Sequence, residues 1–123
     1  MKEIVSTSNA PAAIGPYSQA VKANGLVFCS GQIPLKPDGT LVEGDIVEQA
    51  KQVMANLKAV LDAAGSGFDK VIMTTIYLTN MADFQAVNEV YGAHFSENPP
   101  ARATVAVKEL PKGVGVEISM IAV

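Results

Sequence analysis

Tyr17-Ser18-Gln19-Ala20-Val21-Lys22-Ala23-Asn24-Gly25-Leu26-Val27-Phe28-Cys29-Ser30 reads as two strands joined by a two-residue turn. Asn and Gly both tolerate positive φ, which a type I′ hairpin turn demands at its two central positions. The runs on either side are rich in β-branched and aromatic residues, which suit a pleated, half-buried surface. The pattern therefore predicts strands over 17–23 and 26–30. Upstream, Ala10-Pro11-Ala12-Ala13-Ile14-Gly15-Pro16 is irregular, because proline has no N–H to give to a ladder. Ile4-Val5 is left as a short edge strand. Downstream, Gly31 follows the second strand at once. A glycine there lets the backbone approach a ligand with its N–H free to donate, or else it serves a bulge required by geometry alone. Pro37-Asp38-Gly39 is a plain turn.

Two helices follow from spacing. Asp45-Ile46-Val47-Glu48 has the form of a capping box. Ala50, Val53, Met54, Leu57, Val60, Leu61 and Ala64 then recur at three- and four-residue intervals, and Gly65 supplies the stop. Residues 70–79 form a long strand with apolar side chains on both faces, which predicts cover on both sides. Asn80 caps a second helix with the stripe Phe84, Val87, Tyr91 and Phe95, ended by Asn98-Pro99. Asn88 lies on or beside that stripe, either as a brace for a polar site or as a solvated flank residue. His94 sits at the rim and receives no role. A Val- and Thr-rich strand follows Pro100, a turn spans Leu110 to Gly113, and a last strand covers 114–123. In that strand Val114, Val116, Ile118 and Met120 share one face, while Gly115, Glu117, Ser119 and Ile121 share the other. The elements add up to an α+β fold with an approximately six-stranded, mostly antiparallel sheet and two helices on one face. The second face is left to solvent or to another subunit.

The 123 residues make a single domain, 1–123, large enough for one core. Charged residues are only 17% and apolar ones 49%, a balance that favours a homo-oligomer, since large apolar patches mark interfaces. The net charge of −3 and the lack of any Lys/Arg cluster argue against a nucleic-acid partner. One cysteine, Cys29, and one histidine, His94, cannot build a Cys/His zinc site or an intrachain disulfide. The metal-dependent deaminase layout is thereby excluded. A weak carboxylate-bound cation stays open. Met1 to Ser6 lacks the apolar stretch of a signal peptide and no run reaches membrane-spanning length, so a soluble cytoplasmic protein is expected.

Four features carry possible chemistry. Arg102 stands at the mouth of an apolar strand between Ala101 and Ala103, with no acidic residue close in sequence. Its planar fork matches a carboxylate bidentately and keeps its charge at any ordinary pH. It could equally pair with a distant Asp or Glu, or reach solvent. Glu117 is a carboxylate in the middle of an otherwise apolar strand, or simply part of a half-exposed sheet face. The Ser30-Gly31 corner and Tyr17 complete the set. No Ser-His-Asp arrangement or phosphate loop exists. The four suit a small acid whose adjacent carbon is attacked by water. An apolar pocket would raise the pKa of Glu117 and help it share a proton with water or a departing amine.

Several long motifs then occur in one order: residues 10–19, Ser30-Gly31-Gln32-Ile33-Pro34, Pro100-Ala101-Arg102, and Leu110-Pro111-Lys112 followed by Val116-Glu117-Ile118. Nearly end to end, the chain resembles the Rid (YjgF) family of reactive intermediate deaminases, and most closely its RidA branch. The resemblance implies a chorismate-mutase-like α+β fold and a homotrimer with sites in the clefts between subunits. It implies hydrolysis of enamines and imines, such as 2-aminoacrylate and 2-iminobutanoate, to 2-oxo acids and ammonia, with no cofactor and no metal. By position, Arg102 would hold the substrate carboxylate with help from the Gly31 N–H. Glu117 would orient the water, and Tyr17 would close the pocket from a neighbouring subunit. Ser30 and Asn88 would line the site. Many RidA-like sequences follow this arginine with Ser-Cys, whereas this one has Ala103-Thr104, so Thr104 offers a hydroxyl and no thiol. Cys29 points away from Ser30 and is read as a small core residue. Two other readings remain: a regulatory module that binds small 2-oxo or amino acids, and an RNA-cleaving translation inhibitor.

Overall fold

The computed structural model describes residues 1–123. Eight principal elements follow in chain order: β1 (Glu3–Val5), β2 (Ala20–Ala23), β3 (Leu26–Gln32), α1 (Ile46–Ala63), β4 (Val71–Leu78), α2 (Phe84–Gly92), β5 (Ala101–Ala106) and β6 (Val116–Ala122). The hairpin turn forms as its sequence demands, with φ of 53° at Asn24 and 77° at Gly25. Its first strand is shorter than expected, starting at Ala20 instead of Tyr17. Tyr17 N–H turns back to Gly15 O, and Gln19 directs its side chain under the preceding loop, so neither extends the ladder.

The six strands lie in the order β1-β2-β3-β6-β4-β5. All neighbours are antiparallel except β4 and β5, which run parallel. A parallel pair needs a crossover, and α2 supplies it. Asp45 caps α1 by accepting from Glu48 N–H at 3.0 Å. The apolar stripe of α1 then packs onto one face of the sheet. Val53, Leu57, Val60 and Leu61 on the helix, and Ile76, Leu78, Val116, Ile118 and Met120 on the strands, join one 22-residue core cluster.

One expectation is met on one side only within the chain, and another needs correction. On β4 only Val71, Thr74, Ile76 and Leu78 are buried; Ile72, on the strand's other side, is 46% exposed. Both helices take the same face, so within the chain the second face of β4 has no cover. The second helix also stops at Gly92, well before Asn98-Pro99. His94 N–H and Phe95 N–H fold back to Tyr91 O and Gly92 O, which ends the helix while keeping Phe95 against the Tyr91 ring.

The uncovered face carries a continuous apolar row. Ile4, Val21, Phe28, Ile121, Met73 and Ala101 stand side by side through the register of all six strands. Ile4 and Phe28 are exposed. No helix is long and apolar enough to cross a membrane.

Candidate active site

Glu117 lies on the uncovered face, in register with Tyr77 on one side and next to β3 on the other. The β3–β6 ladder pairs Cys29 with Met120 and Gln32 with Ile118, so Ser30 and Gly31 together oppose Ser119. That extra residue is a bulge, and bulges re-aim side chains. Gly31 therefore lies inside β3, not just past it. Its role is spatial: a Cβ at this position would lie 2.8 Å from Glu117 Cδ. Only glycine leaves room for the carboxyl to lie across the strand. The carboxyl sits in a cavity of about 420 Å³ whose lining includes Ile14, Tyr17, Gly31, Ile33, Lys112 and Glu117. Burial pushes the Glu117 pKa above its ordinary 4.5.

Ser30 is bound differently from a pocket-lining hydroxyl. Its Oγ donates to Ser18 O at 2.6 Å, tying the bulge to the end of the preceding loop. Cys29 points into the core, where burial pushes its thiol up to about 11, leaving it protonated and inert. His94 packs its ring on Phe68 at 4.9 Å between centroids and lines neither this cavity nor the one described next.

Arg102 occupies the opposite face of the sheet. It pairs in register with Thr74, whose hydroxyl is bonded to Tyr91 OH of α2 at 2.7 Å. Three residues of α2 at helical spacing meet the guanidinium. Its carbon lies 5.5 Å from the centroid of the Phe84 ring and 5.3 Å from that of Tyr91, and Nη1 donates to Asn88 Oδ1 at 2.6 Å. Each aromatic contact contributes about 0.5–1 kcal/mol at an exposed site. The chain's two ion pairs, Lys51–Glu48 and Lys58–Asp62, leave Arg102 without a carboxylate. A second cavity, about 390 Å³, opens beside it, lined by Asn88, Tyr91, Phe95, Pro99, Pro100 and Arg102.

Thr104 follows two residues along β5, in register with the buried Ile76. Its Oγ1 is buried and has no hydrogen-bond partner. Replacing it with the isosteric valine is expected to raise the stability of the ligand-free protein by about 1 kcal/mol, because an unsatisfied buried hydroxyl is costly. Urea titration measures this; a loss of stability in Thr104→Val would show that the hydroxyl has a partner in the free protein.

The structure thus assembles two half-sites. Tyr17, Gly31 and Glu117 share one cavity; Asn88 and Arg102 share the other. Tyr17 lines the cavity of its own chain's Glu117, so it is Arg102, not Tyr17, that the chain itself leaves apart from the carboxyl. Phe84 and Tyr91 were legible only as core residues, although the 84-88-91 spacing that places them under Arg102 was visible. Gln19 carried no signal of its own. No three His, Cys, Asp or Glu side chains group closely enough to hold a metal ion.

Comparison with known proteins matches residues 7–123 to the family described as endoribonuclease L-PSP. The chain is 49% identical, over all of its length and 92% of the relative's, to the 2-iminobutanoate/2-iminopropanoate deaminase of Mus musculus. Among crystal structures it is similar to the Rid-family protein YyfA from Yersinia pestis (50% identity, TM-score 0.95), covering 99% of this chain and 98% of that one. It is likewise similar to E. coli TdcF with bound serine (42% identity, TM-score 0.93), covering 98% of each chain.

Proposed function

The chain belongs to the endoribonuclease L-PSP (YjgF/Rid) family, and from that premise we propose that it hydrolyses small 2-imino acids and their enamine tautomers to 2-oxo acids and ammonia. The observation that carries this reading is Arg102, held by two aromatic faces and an amide oxygen yet bonded to no acid of its own protein. Such a guanidinium is ready for an external carboxylate.

Glu117 supplies the base. As water adds to the imine carbon, one water proton passes to the Glu117 carboxylate and the C=N π electrons move to nitrogen. The proton then goes from Glu117 to the nitrogen of the tetrahedral intermediate. The intermediate's hydroxyl then gives its proton to the same nitrogen by way of the regenerated Glu117 carboxylate. As the C=O bond of the 2-oxo acid forms, the C–N bond breaks and ammonia leaves. Imines already hydrolyse in water, so positioning substrate and water together provides a large part of the rate. The Gly31 N–H assists and Tyr17 closes the cavity. Asn88 steadies the Arg102 guanidinium, Ser30 ties the bulge to the preceding loop, and Thr104 stands two residues beyond Arg102 on the same strand. The step calls on no metal.

Arg102 and Glu117 lie on opposite faces of one sheet, so the reading requires two copies of the chain, with Arg102 of one facing the cavity of another. Arg102 belongs to β5, the edge strand, from which a side chain can reach across a boundary. The exposed apolar row on the uncovered face offers the surface that copies would bury. A homotrimer with three shared sites is the assembly we propose.

The test couples a threonine dehydratase to this protein and follows the disappearance of 2-iminobutanoate. Faster loss is expected, together with a sedimentation mass near three times that of the chain. A micromolar monomer, or no acceleration, overturns the reading. Relatives 48–49% identical that are named deaminases support it over RNA cleavage, and a net charge of −3 without any Lys/Arg cluster gives RNA no overall attraction.

A further inference from the structure

We propose that Gln19 is a positioning residue for this reaction: its buried amide holds the arch of residues 7–17 in place, and through it the outer wall of the Glu117 cavity. The proposal rests on the deaminase reading of that cavity. The arch has two prolines and belongs to no strand or helix, yet it brings Ile14 and Tyr17 to the cavity. Its internal hydrogen bonds are local, from Tyr17 N–H to Gly15 O and from Asn9 N–H to Thr7 Oγ1. The bonds that tie residues 7–16 to the rest of the chain all run to one side chain. Gln19 Nε2 donates to Pro11 O at 2.7 Å and Thr7 O at 3.1 Å, with Ala10 O at 3.5 Å. Gln19 Oε1 accepts from Thr7 N–H at 2.7 Å.

The backbone of the same residue joins the other wall, since Gln19 O accepts from Ser30 N–H at 3.0 Å, one residue before Gly31. Gln19 is thus the link between the arch and the bulge that seats Glu117. It is only 4% exposed. An amide has two N–H donors, and both are occupied by arch carbonyls. Gln19 itself lines the Glu117 cavity, yet no donor remains for a substrate, so it acts through the arch. Glutamate cannot replace it, because an ionised carboxylate facing these carbonyls only accepts.

Gln19→Met keeps the side-chain volume and removes the amide; Gln19→Glu replaces the donor by a titratable acid. In both, amide exchange across residues 7–17 is expected to rise, and kcat/KM in the dehydratase-coupled assay to fall by roughly ten- to a hundredfold in a folded protein of unchanged mass. In Gln19→Glu the arch regains exchange protection, corrected for intrinsic rate, as pH falls and the acid donates again; Gln19→Met shows no such recovery. Should Gln19→Glu fail to fold, Gln19→Met decides. A folded Gln19→Met with kcat/KM within twofold of the parent, or with arch protection unchanged, overturns this proposal alone. A parent protein that does not accelerate imine loss overturns the deaminase reading, and this one with it.

Discussion

Arg102→Ala is expected to reduce the acceleration of 2-iminobutanoate loss by at least a hundredfold, leaving essentially the rate of the uncatalysed reaction in water. A bidentate guanidinium–carboxylate pair makes two charge-assisted hydrogen bonds, each worth roughly 1.5–3 kcal/mol, and nothing else near Asn88 and Tyr91 carries a positive charge. The fold has already restricted the side chain, through the Phe84 and Tyr91 rings and Asn88 Oδ1, so little of that energy is lost to ordering it. Arg102→Lys should recover only a small part, because an ammonium is a hydrated point charge without the fork. The loss should appear mainly in KM. Full activity in Arg102→Ala would remove the carboxylate clamp and the site with it.

The second large effect concerns Glu117. Glu117→Gln keeps the shape but cannot take a proton, and general-base catalysis contributes about 10²–10⁴-fold. The expected loss is in kcat, with carboxylate binding retained. Gly31→Ala should imitate it while leaving the carboxyl chemically intact, since the new Cβ would lie 2.8 Å from Glu117 Cδ and the acid must swing aside. A Glu117→Gln variant that binds carboxylates and still hydrolyses imines at the full rate would favour a ligand-sensing module over an enzyme.

The pH dependence follows from the same burial. The folded-state pKa of Glu117 is raised above 4.5, so the acid limb of kcat/KM should lie above the ordinary carboxylate range. For stability the sign is fixed: the folded protein holds this proton more tightly than the unfolded chain. The contribution is present below the unfolded-state pKa and is lost as pH rises through the folded one. Glu117→Gln should therefore stabilise the protein more at neutral pH than at pH 4, as measured by urea unfolding at the two values.

Local chemistry made much of the fold readable in advance. Asn24-Gly25 specified its turn because few residues tolerate positive φ in succession, and Asp45 with Glu48 specified the start of α1. The alternation along β6 put Glu117 on the face opposite Val116 and Ile118, where it is found. Features set by distant partners were less visible. Gly31 was ambiguous between a bulge and a ligand contact until the Glu117 carboxyl was seen lying over it, 86 positions later in the chain. Phe84 and Tyr91 read as core because helical spacing marks a buried stripe without saying what lies on it. Gln19, in a strand-like run, gave no hint that it would fold back under a proline-rich arch.

By itself, then, the sequence determined the element types, the α+β class and the family, since these depend on periodicity, turn chemistry and motifs that act over a few residues. Only the tertiary structure decided that Arg102 and Glu117 face opposite ways. Strand order and register, which depend on contacts between residues far apart in the chain, put the two on different sides of one sheet.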